Sequence, residues 1–251
     1  MRLLLRLLML AALFSFAGSS APRFVPLGHA QSTSEIAAMQ RDYRRPPPRA
    51  IENKALVELG RALFFAPQLS ASGKTSCASC HFPEIGWGVT EARSRNDSGK
   101  LTSRKSQPLI GLGHSGKALV GWDGRSATLE DQAKASIATG SMSMRETATP
   151  VKVEVIEDRI RSDAAYVAKF AGAMPGVAIN IDSIVKAIAE FERTLEPGVS
   201  PFDRWIDGDQ DAISATVLRA IAVGASPTTS FTTLGQRRPT SGAAALTRTI
   251  R

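Results

Sequence analysis

The stretch Ser76-Cys77-Ala78-Ser79-Cys80-His81 contains both cysteines of this 251-residue chain and one of its three histidines. Two cysteines that are separated by two residues and followed directly by a histidine form the attachment pattern of c-type haem. One helical turn would bring both sulfur atoms to one edge of the porphyrin, with the histidine beneath the ring. The stretch therefore predicts that Cys77 and Cys80 bind haem covalently and that His81 is the proximal ligand of the iron.

Three other interpretations of the same residues are weaker. A disulfide is the default for paired cysteines in an exported protein, but a two-residue gap makes a small, strained ring. A redox-active Cys-x-x-Cys motif is expected beside a βαβ pattern, which this sequence lacks. A structural zinc site needs four ligands, and His114 is the only further histidine after residue 30. Covalent haem remains the favoured interpretation.

The sixth ligand of the iron stays open at this level. His114 lies in a glycine-rich segment and is a candidate distal ligand. Met142 and Met144 are alternatives, although a lone methionine is more often a core residue than a ligand. Trp87 and Trp122 follow the motif in the sequence and are expected to pack near the haem, with ordinary core packing as the alternative.

The excess positive charge of the chain lies at its two ends. The formal net charge is +8, of which residues 1–30 carry +3 and residues 212–251 carry +5, so residues 31–211 are neutral. This distribution does not form a basic binding face, and we therefore expect no nucleic-acid partner.

Residues 1–30 have the layout of a targeting segment. Arg2 and Arg6 precede the apolar run 7–16, and a small-x-small site follows at Gly28-His29-Ala30. This layout predicts a signal peptide that is cleaved on export, which would place the mature protein in the periplasm. The apolar run is too short for a bilayer-spanning helix, and no later segment is long and apolar enough to span.

The remaining sequence predicts an all-α protein. Residues 31–50 are polar and end in three prolines, which favours an extended lead-in. From residue 51 the apolar spacing is helical, and no stretch alternates with period two. Residues 73–124, rich in glycine and serine, predict loops around a bound group. The sequence predicts six helices in this part of the chain. The first ends at Pro67, the second is capped by Thr128, the third begins at Thr149-Pro150 and the fourth is capped by Asp182. Two more lie in residues 201–208 and 211–223.

Characteristic stretches occur on both sides of the haem motif. They are Leu59-Gly60-Arg61-Ala62-Leu63-Phe64-Phe65, Leu69-Ser70, Trp122-Asp123-Gly124-Arg125, Leu129-Glu130-Asp131-Gln132-Ala133, Ala189-Glu190-Phe191-Glu192-Arg193-Thr194-Leu195 and Ser200-Pro201-Phe202-Asp203. In this order, and together with the motif, they resemble the bacterial di-haem cytochrome c peroxidase family. That family includes the di-haem enzymes that mature a tryptophylquinone cofactor.

The resemblance implies an exported protein of two cytochrome-c-like domains, with one haem in each and calcium near their interface. Hydrogen peroxide would be reduced at the N-terminal haem, with electrons relayed through the C-terminal haem from a small c-type cytochrome. Cys77, Cys80 and His81 match the attachment site of the peroxidatic haem. Trp122 matches the tryptophan between the two haems, and Gln132, in another matched stretch, is the second candidate catalytic residue.

Two departures from the family pattern affect the chemistry. Many members have a Glu-Met pair where this chain has Ser141-Met142, and that glutamate is the acid–base group for O–O cleavage. A serine cannot carry a proton at neutral pH as a carboxylate does, so Asp131 and Glu130 become candidate substitutes. Ser106 stands where the family has an asparagine beside calcium, which leaves calcium a candidate cofactor rather than an expected one.

A second Cys-x-x-Cys-His motif should follow Asp211, and the sequence has none. If the codons of residues 226–243 are read in a frame shifted by one step, they can encode Phe-Thr-Asp-Asn-x-Phe-His-x-x-Gly followed by Asp-x-Gly-Arg. This encoded sequence resembles the family's stretch after its second haem motif. We therefore expect a haem domain with inter-domain helices over residues 51–211, and over 212–251 the stub of a second domain with a frame-shifted tail. A natural low-complexity tail is the alternative. One haem per chain follows, and the alternative function is a mono-haem electron-transfer or haem-binding fragment without peroxidase turnover.

Overall fold

The computed structural model describes residues 33–114, 120–143 and 151–224. The predictions for the signal peptide (1–30), Met144, the helix start at Thr149-Pro150 and the tail beyond residue 224 lie outside the described residues. Within these ranges the secondary structure is helical, and the extended backbone is limited to isolated antiparallel bridges. The predicted all-α fold is confirmed.

The chain divides into two units, residues 1–43 and residues 44–251. The first unit contains α1 (Thr33–Asp42). The described helices of the second unit are α2 (Lys54–Phe64), α3 (Leu129–Ala138), α4 (Val153–Arg161), α5 (Ala164–Ala173), α6 (Ile181–Glu192), α7 (Pro201–Ile206) and α8 (Ala215–Gly224). Single 3₁₀ turns occur at Pro67–Leu69, Cys77–Ser79, Pro83–Ile85 and Leu112–His114. In the described part of the chain, no helix has both the length and the apolar character needed to cross a bilayer.

The core of the second unit is built on the crossing of α2 and α6. Leu59 and Leu63 of α2 and Ile184 and Ile188 of α6 are almost completely buried. At Gly60 a Cβ atom would lie 1.9 Å from the carbonyl oxygen of Ala187. The two helices therefore approach to backbone contact, which only a residue without a side chain permits.

The helix caps confirm one sequence prediction and correct another. The Thr128 hydroxyl accepts a hydrogen bond from the Asp131 backbone N–H, as expected of an N-cap. The cap of α6 is Asn180, whose side chain accepts from the Ser183 N–H while the Ser183 hydroxyl accepts from the Asn180 N–H. The prediction that Asp182 caps this helix is wrong, because this reciprocal pair begins the helix two residues earlier.

The other predicted helices are present with shifted ends. The first helix ends at Phe64, and Pro67 opens the following 3₁₀ turn instead. The predicted helices at 201–208 and 211–223 correspond to α7 and α8.

The loop after α2 is anchored by Arg159 of α4, which donates hydrogen bonds to the carbonyl oxygens of Gln68, Ser70 and Ala71 at 3.3, 2.7 and 3.1 Å.

Candidate functional site

The haem motif opens onto a cavity of about 280 Å³. Cys77, Cys80 and His81 form part of its wall. The rest of the wall comes from the loops that the sequence predicted would surround a bound group, from α3 and from the end of α6. Its apolar residues are Leu109, Leu112, Val120, Leu129, Ala133 and Met142, and its basic residues are Arg95, Arg104, Lys105 and Arg125.

A tight turn fixes the backbone of the motif. The backbone N–H groups of Cys80 and His81 both donate to the carbonyl oxygen of Cys77, at 3.1 and 3.0 Å. Ser76 and Ser79 stabilise the turn by exchanging side-chain and backbone hydrogen bonds. The turn brings both thiols and the imidazole to one cavity wall, which fits a haem bound by two thioethers and one proximal nitrogen.

The two thiols are unbridged in this structure. Burial, together with the nearby carboxyl group of Glu192, raises the pKa of the Cys77 thiol far above its ordinary value. Burial also raises the pKa of Cys80, whose Sγ donates a hydrogen bond to the carbonyl oxygen of Arg95 at 3.4 Å. Disulfide formation proceeds through the thiolate, so the protonated thiols are poorly suited to pair with each other.

His81 is oriented by a backbone carbonyl. Its Nδ1 lies 2.9 Å from the carbonyl oxygen of Trp87, and because a carbonyl can only accept, this nitrogen must carry the proton. Nε2 is therefore the nitrogen with a lone pair for iron, the usual arrangement of a histidine ligand and its hydrogen-bonded partner. Burial lowers the pKa of His81, against the opposing effect of hydrogen bonds to the backbone of Trp87 and Gln107, and this favours the neutral ring.

The backbone at Trp87 is adapted to this bond. Trp87 has φ +59°, in the left-handed region that non-glycine residues seldom adopt, and it follows Gly86 at φ +72°. The Trp87 ring packs edge-to-face on Phe64 and Phe191, each with a ring-centroid distance of 5.6 Å. This packing stabilises the strained turn that presents the Trp87 carbonyl to His81. Sequence reasoning placed Trp87 near the haem but missed this role of its carbonyl group.

The two candidate catalytic residues both line the cavity. Trp122 is 54% exposed, and its Nε1 donates to the carbonyl oxygen of Lys105 at 2.8 Å. The Gln132 amide oxygen accepts from the Ser126 hydroxyl at 2.9 Å, and its amide nitrogen lies 3.5 Å from the Ser136 hydroxyl. Trp122 and Gln132 therefore belong to the same cavity as the motif.

The structure does not bring His114 into the cavity wall. Its Nε2 lies 2.7 Å from a carboxylate oxygen of Glu196, on the outer side of the Leu112–His114 turn. Arg45 of the lead-in segment also pairs with Glu196, at 3.7 Å. The contacts of His114 are thus those of a structural link, and Met142, buried in the cavity wall, is the candidate sixth ligand that the structure places there.

The two proposed substitute carboxylates, Asp131 and Glu130, also lie outside the cavity wall. Asp131 is exposed in the first turn of α3, and Glu130 forms a salt bridge of 2.7 Å with Arg193. Two carboxyl groups do line the cavity: the exposed one of Asp123 and the buried one of Glu192, which sequence reasoning missed. A signal was present, because Glu192 follows Ile188 by four residues and so continues the buried stripe of α6.

Glu192 is held in an unusual electrostatic environment. It is 8% exposed, and burial raises the pKa of its carboxyl group to about 8. The neighbouring Arg193 opposes this effect, and the negative charge of Glu130 adds to it. A carboxylic acid with this pKa exchanges its proton near neutral pH.

The mouth of the cavity carries a charged cluster. Asp123 accepts hydrogen bonds from Arg104, at 2.9 Å, and from Arg125, and these partners hold its pKa well below the ordinary range. The guanidinium groups and Lys105 would supply positive charge to the propionates of a bound haem. Ser106, at the position where the resemblance suggests calcium, is hydrogen-bonded to Ser94 through its hydroxyl and its backbone N–H, each at 2.8 Å. Within the described residues, no group of three or more His, Cys, Asp or Glu side chains is arranged to hold a metal ion.

Comparisons with known proteins show the family to which the chain belongs. The family profile described as di-haem cytochrome c peroxidase matches residues 54–211. Methylamine utilization protein MauG of Methylorubrum extorquens is 35% identical over 199 residues, which are 76% of this chain and 54% of that protein. Cytochrome c551 peroxidase of Nitrosomonas europaea is 34% identical over 163 residues, which are 65% of this chain and 46% of that protein.

A solved structure of a MauG-like protein associated with microbial copper homeostasis has a similar fold. The TM-score is 0.60 at 26% identity, over 72% of this chain and 53% of that one. The diheme peroxidase BthA of Burkholderia thailandensis matches with a TM-score of 0.58 at 19% identity, over 72% of this chain and 48% of that one. The chain thus spans about half the length of the relatives that it matches.

Proposed function

From the premise that this chain belongs to the di-haem cytochrome c peroxidase family, we propose that it is a periplasmic c-type haem oxidoreductase. It reduces hydrogen peroxide with electrons from a small c-type cytochrome. One haem is attached to Cys77 and Cys80, with His81 as the proximal ligand. The proposal rests on one observation: Cys77, Cys80 and His81 line the same cavity, and the hydrogen bond of His81 Nδ1 to the Trp87 carbonyl leaves Nε2 available to bind iron.

The residues present fit a haem in their chemistry. The bound haem would supply the one-electron redox chemistry and the activation of peroxide. The chain would contribute the His81 Nε2, two thioether links, apolar walls that exclude water, and positive charge at the mouth for the propionates. Gln132 offers an amide hydrogen-bond donor inside the cavity, which would orient peroxide at the iron.

Peroxide turnover is expected to be slow. Ser141 lines the cavity where the family resemblance implies a glutamate. A hydroxyl group can hydrogen-bond to peroxide but does not hold a proton for O–O cleavage, and the loss of a positioned acid–base group typically costs 10²–10⁴-fold in rate.

A second candidate function is electron transfer through a single haem without turnover. It is favoured by the cysteine count, because Cys77 and Cys80 are the two cysteines of the sequence and provide one attachment site. The half-exposed Trp122 beside the cavity would then be an exit or entry point for electrons.

The test begins with the holoprotein, produced with its leader in a bacterium that matures c-type cytochromes. We expect a mature N-terminus near Gln31, one haem per chain in a pyridine haemochrome assay, and a covalently bound haem on a denaturing gel. The double variant Cys77→Ser/Cys80→Ser should lose covalent haem, and His81→Gly should lose the native Soret spectrum. Two haems per chain, or a native spectrum in His81→Gly, would contradict the proposed site.

Peroxide-dependent oxidation of a reduced small cytochrome then separates the two functions. Slow but saturable turnover that is abolished by His81→Gly supports the peroxidase. Electron exchange with the cytochrome that does not depend on peroxide supports the electron-transfer function. Turnover of hundreds per second would contradict the role assigned to Ser141.

A further inference from the structure

Glu192 is the last residue of α6 and faces the cavity that contains the haem motif. It is 8% exposed, and within the described residues no hydrogen bond reaches its carboxyl group. A buried carboxyl group without a hydrogen-bonding partner is costly, and the cost is greatest when the group is charged. Arg193 offsets the cost of the charge only in part, and the pKa of the buried carboxyl group stays raised, so the group can both gain and lose a proton.

We infer that Glu192 is the proton acceptor coupled to reduction of the haem. The inference rests on the proposed function, because it requires haem at Cys77, Cys80 and His81. When the ferric iron gains one electron from the reduced donor cytochrome, the Glu192 carboxylate binds one proton from solvent and becomes the neutral acid. The O–H bond of Glu192 is the one bond formed, and one electron and one proton enter the protein together.

The physical reason is the charge balance of a poorly hydrated cavity. Reduction adds one negative charge at the iron, and two charges in a low-dielectric interior interact far more strongly than in water. A carboxylate in the same cavity as the haem therefore opposes reduction, whereas the neutral acid does not. By linkage, the reduced protein must hold the proton of Glu192 more tightly than the oxidised protein.

The charged groups around Glu192 do not remove this coupling. Arg193 is the adjacent cation, but its guanidinium is engaged with Glu130 at 2.7 Å and with Glu190 at 3.5 Å. From the motif, Cys77 and His81 face the same cavity, and both lose their free titration when they bind haem. Arg104 and Arg125, at the mouth of the cavity, are paired with Asp123. Arg95 and Lys105 also line the cavity and are the same in every variant. The charged residues of α2, which packs against α6, are Lys54, Glu58 and Arg61, and all three are exposed. Those of α3 besides Glu130 are Asp131 and Lys134, and both are also exposed.

The burial that raises the pKa of Glu192 to about 8 places its titration in an accessible range. The propionates of the haem are the other groups whose titration affects a haem potential. A comparison of variants at Glu192 separates the two sources, since the propionates are the same in every variant.

The test is the midpoint potential of the purified holoprotein from pH 6 to pH 10, measured by spectroelectrochemical titration. In the native protein we expect the potential to fall as pH rises, because protons are taken up on reduction. A tenfold difference in the proton affinity of Glu192 between the two redox states corresponds to 59 mV for a one-electron couple. Glu192→Gln, which has the same shape and no titration, should have a higher potential above pH 8 and a flatter profile.

Glu58→Gln is the matched control. It carries the same chemical change on an exposed side chain of α2, outside the cavity wall. Its potential should follow the native pH profile. An equal slope in Glu192→Gln and in the native protein would overturn the inference.

Two further measurements keep the inference testable if Glu192→Gln folds poorly. Glu192→Met also removes the titration at similar volume and should give the same flat profile. Proton uptake on reduction of the native protein, followed with a pH indicator in weak buffer near pH 8, should be a substantial fraction of one proton per haem. Absence of uptake would overturn the inference. A preparation without a haem spectrum would contradict the proposed haem site instead, so the two failures are distinguishable.

Discussion

Gly60→Ala tests the helix crossing on which the cavity is built. The added Cβ atom would lie 1.9 Å from the carbonyl oxygen of Ala187, 2.6 Å from its carbonyl carbon and 3.0 Å from the Cβ of Phe191. An ordinary non-bonded contact is ~3.5 Å. Two of these three atoms are backbone, so no side-chain rotation relieves the clash, and α2 and α6 must move apart by roughly 1.5 Å at this point.

Two opposing effects set the magnitude. Alanine is the better helix former by about 1 kcal/mol, which on its own would stabilise α2. Overpacking typically costs about 1–3 kcal/mol and sometimes more. Here it also separates the buried pairs of leucine and isoleucine on both sides of the crossing. We expect the clash to win and the free energy of unfolding to fall by about 2 kcal/mol or more.

The assay is urea denaturation of the holoprotein, followed by circular dichroism and by the Soret band. Gly172→Ala is the matched control, because Gly172 also lies in a helix, α5, and a Cβ there would meet nothing within 4 Å. This control should be as stable as the native protein or up to about 1 kcal/mol more stable. If Gly60→Ala proved as stable as Gly172→Ala, the close crossing would be refuted.

Four further substitutions test the cap of α6 and the site. Asn180→Ala should cost about 1 kcal/mol in urea denaturation, and Asp182→Ala less, because Asn180 is the cap of α6. His114→Ala should leave the haem spectrum unchanged, since its Nε2 is bound to Glu196; a shifted Soret band would return His114 to the list of iron ligands. Burial raises the pKa of Glu192 from 4.5 to about 8. The folded protein therefore binds this proton more tightly than the unfolded chain does. As a result, the stability contributed by the neutral acid is lost as pH rises from 4.5 to 8. Glu192→Gln should flatten this loss of unfolding free energy between pH 5 and pH 8, and an unchanged pH dependence would show that other groups cause it.

Much of the fold could be predicted because its signals are local. The cap Thr128 and the helical apolar spacing of α6 each depend on residues within a few positions of one another, and the structure confirms both. The error at α6 was also local. Asp182 and Asn180 are both good capping residues, and the choice between them depends on Ser183, whose hydroxyl can return a hydrogen bond to Asn180 but not to Asp182.

The site was harder to predict because its members come from distant parts of the chain. A family pattern directs attention to position 141, where this sequence has lost the expected carboxylate. A carboxyl group that acts electrostatically on the Cys77 thiol instead comes from Glu192, 51 residues later in the sequence. Its register on α6 was visible, but which face of α6 meets the motif depends on the crossing at Gly60, which spacing alone does not reveal.

The same long-range packing explains why His114 points away from the cavity. A Cβ atom at Gly113 would lie 2.4 Å from the carbonyl oxygen of Arg193, so the Leu112–His114 turn rests directly on the end of α6. The N–H of Gly111 donates to the carbonyl oxygen of Leu195 at 2.8 Å and fixes the turn from its other side. With the turn held in this way, Leu112 lies in the cavity wall while the ring of His114 reaches outward to Glu196. The contact at Gly113 thus helps to keep Leu112 in the cavity wall and the His114 imidazole, paired with Glu196, outside it.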